Sequence, residues 1–453
     1  MGRFFFLSIG FSAYLGTIFF SAQAQDQARW AAPSLPVPPL AASEEALKAA
    51  RMHQYMQDLY DQNQFNGVVL VAQKGRILYQ GAWGWSNIAQ KDTLNLDTPF
   101  RLASVSKQFT AMAIMILKEA GKLHYDEPIT KYLPELPYSQ ISIRHLLHHN
   151  SGLPDYFGIG WSIQQFFPAG KLIDNADMLR YFSVRQPKLV FKPGQKASYS
   201  NTGYVFLASI VERVSGMPFA EFLDKNIFQP LGMKNTFVYD TKNYQTHTKY
   251  DTVLVRQDTV LIRENEMKIE TILKVETHLQ KTERRRAFGY DLSYPYPSGY
   301  IPLDYHAFDG INGEKGVCTS ALDLLKWDQA LHEHQLIRPE TQAEAFRPSP
   351  VTDQKAYYYG FGWKIYRDRP HIVFHHGLYR GFRNYFHRNL RDQSTIIILS
   401  NRNLGGRVTQ IYQGLELLLA GKECKAPKAS RLEQNTWAEF KRNLWIDYGQ
   451  PPR

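Results

Sequence analysis

Ser104-Val105-Ser106-Lys107, Tyr199-Ser200-Asn201 and His375-His376-Gly377 follow one another along the chain in that order, and each pattern occurs once. A serine hydroxyl attacks a carbonyl only when a neighbouring base takes its proton. Lys107 is three residues after Ser104, hence on the same face of a helix and one turn away. To act near neutral pH its amine must fall from a free value of about 10.4 to near 7, roughly 4 kcal/mol against the charged form. Tyr199 offers a second base, and the two would titrate as a coupled pair, so the choice between them stays open. Asn201 is placed to orient Lys107 or to bind a substrate amide. Gly377 gives a substrate backbone room to lie along a strand edge. The backbone N–H of Leu378, with that of Ser104, forms the expected oxyanion hole. His375 is placed to steady the phenol or a substrate carboxylate. This is acyl-transfer chemistry, and it calls for no cofactor.

The elements that must hold these groups are partly legible. Ser43 is an expected N-cap, followed by Glu44 and Glu45 in a positive first turn and by Met52, Tyr55, Met56 and Leu59 on one face. Runs from Phe65 to Gln73 and from Ile77 to Trp83 flank Lys74-Gly75 and predict an antiparallel hairpin. A strongly apolar helix is expected from about Ser104 to Ala120, its start presenting unpaired N–H donors at the nucleophile. Tyr199 is expected on a loop after Phe191-Lys192-Pro193-Gly194, before a helix opening near Thr202. His371–His376, Phe382–Arg388 and Thr395–Asn401 predict consecutive antiparallel strands, covered by a helix at 407–420. His375-His376-Gly377 is then expected to end a strand.

The fold class expected is α/β (α+β), with an antiparallel sheet flanked by helices and built from both chain ends. Residues 43–122 and 300–423 are assigned to the sheet domain and 123–299 to a mostly helical lobe. Within the lobe, Asp251–Arg256 is nearly repeated as Asp258–Arg263, so a β-rich insertion is expected near 247–284, as a flap or a partner-docking edge. Residues 424–453 form a C-terminal tail.

At 453 residues, 44% apolar and 21% charged, the chain suits a globular protein with a large core. The net charge of +11 is dispersed, and its tightest run, Arg284-Arg285-Arg286, lies in no nucleic-acid motif. Nucleic-acid binding is therefore not expected, while association with an anionic envelope surface fits the charge. Arg3, the apolar run from Phe4 to Phe20 and Ala22-Gln23-Ala24 predict a signal peptide over 1–24, cleaved near Ala24, and a flexible leader over 25–42. Export to the periplasm or the outside follows, an uncleaved membrane anchor being the alternative. Cys318 and Cys424 match no disulfide framework and are expected as separate thiols. His145, His148 and His149 have a ligand-like spacing but no acidic partner, so no metal is expected.

The three motifs and their surroundings resemble the serine β-lactamase and penicillin-binding-protein family, in its class C β-lactamase-like branch of peptidases and esterases. Phe100-Arg101-Leu102-Ala103, Ser151-Gly152-Leu153-Pro154, Leu231-Gly232-Met233 and Leu399-Ser400-Asn401 carry the likeness further, over about residues 45–420. The resemblance implies a β-lactamase/transpeptidase-like fold. It implies Ser104 as acylated nucleophile, Lys107 and Tyr199 as the proton-handling pair, and Asn201 as a contact to substrate and lysine. His375, His376 and Gly377 become the substrate-binding edge. True β-lactamases of this branch carry Lys-Thr-Gly where His375-His376-Gly377 stands. A neutral imidazole holds a carboxylate less firmly than an ammonium does, which moves the expected substrate away from β-lactams. The expected function is an exported serine hydrolase acting on a D-amino-acid peptide or an ester, hence on a small-molecule or short-peptide substrate. The alternatives are a β-lactamase, or a non-catalytic protein of the same fold that binds cell-wall fragments or a partner.

Overall fold

The structure, a computed structural model, describes residues 43–239, 251–253, 274–276, 286–292, 300–303, 306–352 and 354–435. The expected signal peptide and leader lie outside the described residues, as do the end of the tail and most of the 247–284 insertion. Of that insertion, Asp251–Val253 and Lys274–Glu276 pair as antiparallel strands.

The elements that frame the site are, in chain order, α1 (Glu44–Asp61), β1 (Gly67–Gln73), β2 (Arg76–Trp83), α2 (Lys107–Glu119), α3 (Asn201–Ser215), α4 (Ala321–His332), β3 (Tyr357–Tyr359), β4 (Lys364–Tyr366), β5 (Ile372–Tyr379), β6 (Phe382–Asn389), β7 (Ser394–Ser400) and α5 (Arg407–Leu419). The strands form one seven-stranded sheet in the order β3-β4-β5-β6-β7-β1-β2, antiparallel throughout. The two chain ends are therefore joined inside the sheet, where β1, from the start of the chain, pairs with β7, near its end, Val69 lying opposite Ile398. The hairpin at Lys74-Gly75 has positive φ at both residues, 49° and 73°, the I′ geometry whose twist suits a two-residue turn.

Side chains on a strand alternate between faces, and both faces here are covered. Val68, Leu70, Ile397 and Leu399 pack in a core with Phe109 and Met112 of α2 and Val205 of α3. Val69, Val71, Ile396 and Ile398 pack on the other side with Met52 and Met56 of α1 and Ile411 and Leu415 of α5. That double burial explains why Gly67–Gln73 and Ser394–Ser400 are continuous apolar runs and not alternating ones.

Three expectations need correction. β5 does not end at the His375-His376-Gly377 motif but continues to Tyr379, and the turn to β6 is made by Arg380 and Gly381. β3 and β4 extend the sheet by two strands the sequence did not announce, because three-residue strands are too short to show a period. The helix expected from Ser104 begins at Lys107. No disulfide joins Cys318 and Cys424.

Candidate active site

Ser104 sits on a tight turn between a strand and a helix. Phe100–Arg101 pairs with the strand Val317–Thr319, and Leu102 N–H donates to Val317 O at 2.8 Å. Ala103 then adopts φ of +51°, a left-handed conformation that costs an alanine roughly 1–2 kcal/mol. A 3₁₀ turn over Ala103–Ser106 follows, and α2 starts only at Lys107. The expected single helix from Ser104 is interrupted because the chain must turn sharply off the sheet edge before it can enter α2. Gly377 of β5 packs against this turn, where an added Cβ would collide with the Leu102 carbonyl oxygen. The glycine of the third motif thus makes room for the Ser104 turn, not only for a substrate.

Lys107 is fully buried. Its Nζ lies 3.2 Å from Ser104 Oγ, 2.8 Å from Asn201 Oδ1 and 2.9 Å from the Glu314 carbonyl oxygen. The last two atoms can only accept, so they hold two protons of the amine and direct the third position at the serine hydroxyl. Burial presses the ammonium down to about 7, with nearby Lys315 adding to the fall and Glu314 and Asp155 opposing it. At neutral pH a neutral amine keeps both donated bonds and turns its lone pair towards Ser104.

The supports of this amine were not visible in the sequence. Asp155 accepts from both the backbone N–H and the side-chain amide of Asn201, at 2.8 and 2.7 Å. That fixes the amide orientation and leaves Oδ1 facing Lys107. The Glu314 carbonyl is presented between Gly313 and Gly316, both at positive φ. A Cβ on Gly313 would strike the backbone of α3. Beneath the loop, Lys315 pairs with Glu314 at 2.7 Å, and Arg101 pairs with Asp309 at 2.7 Å.

Tyr199 precedes α3 on a loop, as expected, and its ring lies 4.9 Å from Lys107 Nζ. His149 packs behind it, ring centroids 4.3 Å apart. The phenol oxygen is shielded from solvent without a hydrogen bond of good geometry. Ser104 is nonetheless near enough to oppose, in part, the burial that raises the phenol well above 10. The histidines with ligand-like spacing have other employment: His145 closes a capping box with Ser142, His148 Nδ1 contacts Tyr359 O at 3.2 Å, and His149 Nδ1 accepts from Ser200 N at 3.2 Å.

On β5, the hairpin-closing pair Tyr379 and Phe382 is hydrogen-bonded in a two-residue turn, so alternation points the Leu378 N–H away from β6. β4 pairs only as far back as Phe374, and the edge at His376 and Leu378 is left open. His375 is buried beside Tyr199, with ring centroids 6.4 Å apart. His376 projects from the opposite face of the strand, and its imidazole is pushed down to about 3 by desolvation and by Lys364. Lys364, from β4, places Nζ 3.4 and 3.3 Å from the two ring nitrogens of His376. Ser104, Tyr199, Asn201, Lys364, His376 and Leu378 all line one cleft of about 480 Å³. A larger, more open hollow of about 850 Å³ along 186–195 contains none of these groups.

A serine and a buried phenol on one cleft, with a buried lysine amine 3.2 Å from the serine hydroxyl, are the groups of a serine hydrolase. A family model described as Beta-lactamase matches residues 49–419, and the chain belongs to that family. It is 32% identical over 388 residues to penicillin-binding protein 4* of Bacillus subtilis, covering 84% of this chain and 78% of that one. It is 25% identical over 356 residues to a D-aminopeptidase of Gluconobacter oxydans, covering 76% of this chain and 57% of the relative. A crystal structure of a penicillin-binding protein from Bacillus halodurans superposes with a TM-score of 0.64 at 25% identity, over 81% of this chain and 98% of the other.

Proposed function

We propose that this protein is an exported hydrolase that forms an acyl-enzyme on Ser104 and acts on peptides containing a D-amino acid or on esters. The observation that carries the reading is the buried Lys107 amine, 3.2 Å from Ser104 Oγ and brought by burial to about 7. Neutral Lys107 takes the hydroxyl proton as Ser104 Oγ bonds to the acyl carbon. The developing oxyanion faces the N–H groups of Ser104 and Leu378. Tyr199, kept as a phenol by burial, gives its proton to the leaving nitrogen or oxygen and regains one through Lys107. Water then attacks the acyl carbon and gives its proton to neutral Lys107, while the Tyr199 phenol protonates the departing Ser104 Oγ and is re-protonated through Lys107, releasing the acid and restoring Ser104. A D-aminopeptidase and a penicillin-binding protein among the relatives support the peptide substrate.

A panel of p-nitrophenyl esters, D-Ala-D-Ala peptides and nitrocefin tests this reading. Turnover of the esters or the D-peptides is expected. A well-folded protein that turns over none of the panel would instead be a binding protein on the same fold. Export is supported by the apolar N-terminal run and Ala22-Gln23-Ala24. The mature protein recovered from cells is expected to begin near Gln25, and a chain that retains Met1 would overturn cleavage.

A further inference from the structure

Lys364 is a cation with no obvious structural employment. It is only 3% exposed, whereas the buried Arg101, Lys315 and Arg388 are matched to Asp309, Glu314 and Asp328, and Lys107, the other buried amine of the site, is held by Asn201 Oδ1 and the Glu314 carbonyl. Among the described residues no carboxylate pairs with Lys364. Its neighbours are the Tyr357 hydroxyl at 3.3 Å, the two ring nitrogens of His376, and the ring faces of Tyr357 and Tyr359 at 4.4 and 5.7 Å. Aromatic faces and a neutral imidazole solvate an ammonium but do not cancel its charge. A buried, unneutralised ammonium is costly, and it would be replaced by methionine at little loss of packing if packing were its task.

The side chain also ends in the right place. Lys364 lines the same cleft as Ser104, Leu378 and His376. His376 is two residues from Leu378 on the open edge of β5, about 7 Å along the strand. An anion held there would be carried close to the scissile carbonyl. The positive charge beside His376 is that of Lys364; desolvation and Lys364 itself hold the His376 imidazole down.

We propose that Lys364 is the anion-recognition residue of this cleft, and that the enzyme selects acyl substrates bearing a carboxylate near the bond it cleaves, held by the Lys364 ammonium alongside the ring of His376. The proposal rests on the serine-hydrolase reading and names its substrate class. It also explains how a chain with histidines in its third motif provides a cation, from the neighbouring strand instead of from β5. Desolvation and repulsion from Lys107 bring Lys364 down to about 7. A bound carboxylate relieves both penalties, because it replaces lost hydration and outweighs the like charge.

The experiment uses the mature enzyme and follows the rate at which a fluorophosphonate probe labels Ser104, so that no substrate need be known. N-acetyl-D-alanine and its uncharged amide are compared as protectants. The carboxylate is expected to protect at a concentration about 10- to 100-fold lower than the amide, the worth of one charge-assisted hydrogen bond. In Lys364→Met the two protect alike, and Lys364→Arg recovers part of the difference. Labelling itself shows that each variant retains a formed site, and Lys364→Gln replaces the methionine variant if that one does not label. Equal protection in the wild type, or a preference for the carboxylate that survives in Lys364→Met, overturns the proposal while leaving the hydrolase reading intact. A wild-type enzyme that the probe does not label removes the hydrolase reading and this proposal with it.

Discussion

Ser104→Ala leaves a folded protein that no longer takes up fluorophosphonate or fluorescent penicillin and hydrolyses the best substrate of the panel at least about 10⁴-fold more slowly. The size of the effect follows from what the substitution removes. Without Oγ no acyl-enzyme forms, and the remaining groups can only bind substrate and polarise its carbonyl. The fold has little stake in the hydroxyl: Ser104 is half-buried and sits on a turn fixed by the Leu102–Val317 bond and by the close approach of Gly377. The thermal transition should therefore stay near that of the wild type. Unchanged labelling in the alanine variant would mean that another residue is the nucleophile.

Lys107→Met is expected to act on rate and stability in opposite directions. Only the neutral amine accepts a proton from Ser104, so wild-type kcat/KM should fall about tenfold per pH unit below about 7 and level off above it. The variant loses at least about 10³-fold in rate and loses that acidic limb. For stability, the folded value near 7 lies below the unfolded value of about 10.4. Between these limits the unfolded chain binds more protons, and wild-type stability rises with pH. Below about pH 7 the whole penalty of burying the amine is present.

Methionine removes that penalty but strands the Glu314 carbonyl and Asn201 Oδ1 that Lys107 now satisfies. The net expectation at pH 6 is a variant more stable than wild type by on the order of 2 kcal/mol. The gap should shrink towards pH 10. Chemical denaturation across that pH range checks the sign; a variant less stable than wild type at pH 6 would show that the lysine contacts outweigh its desolvation. Lys364 also titrates from about 7, held down in part by repulsion from Lys107, so its pKa rises in the variant and that relief adds to the gap in the same direction.

The reading of the sequence went furthest where chemistry is local. Ser104 and Lys107 are one helical turn apart, so their encounter needs only backbone geometry. The apolar run around Lys107 already signalled the burial that lowers its amine. The hairpin at Lys74-Gly75 and the β5–β6–β7 meander were legible for the same reason, since two-residue turns and contiguous apolar runs leave short-range marks. Tyr199 and Asn201 were found as a motif. The distances that bring them to Lys107 span 94 residues for Asn201 and belong to the packing of α2 against α3.

What lay outside the sequence reading shares one physical character: each contact is made by a residue whose neighbours in the chain do not reveal its direction. Asp155 in a loop, the Glu314 carbonyl between two glycines and Lys364 on a three-residue strand carry no period and no pattern of their own. The sequence by itself determined that a serine and an amine would meet, because they stand one helical turn apart, and it named a phenol as their candidate partner. Only the tertiary structure decided their charge states and supports, and placed a second, uncompensated cation in the cleft, because desolvation and long-range pairing depend on everything that surrounds an atom in space.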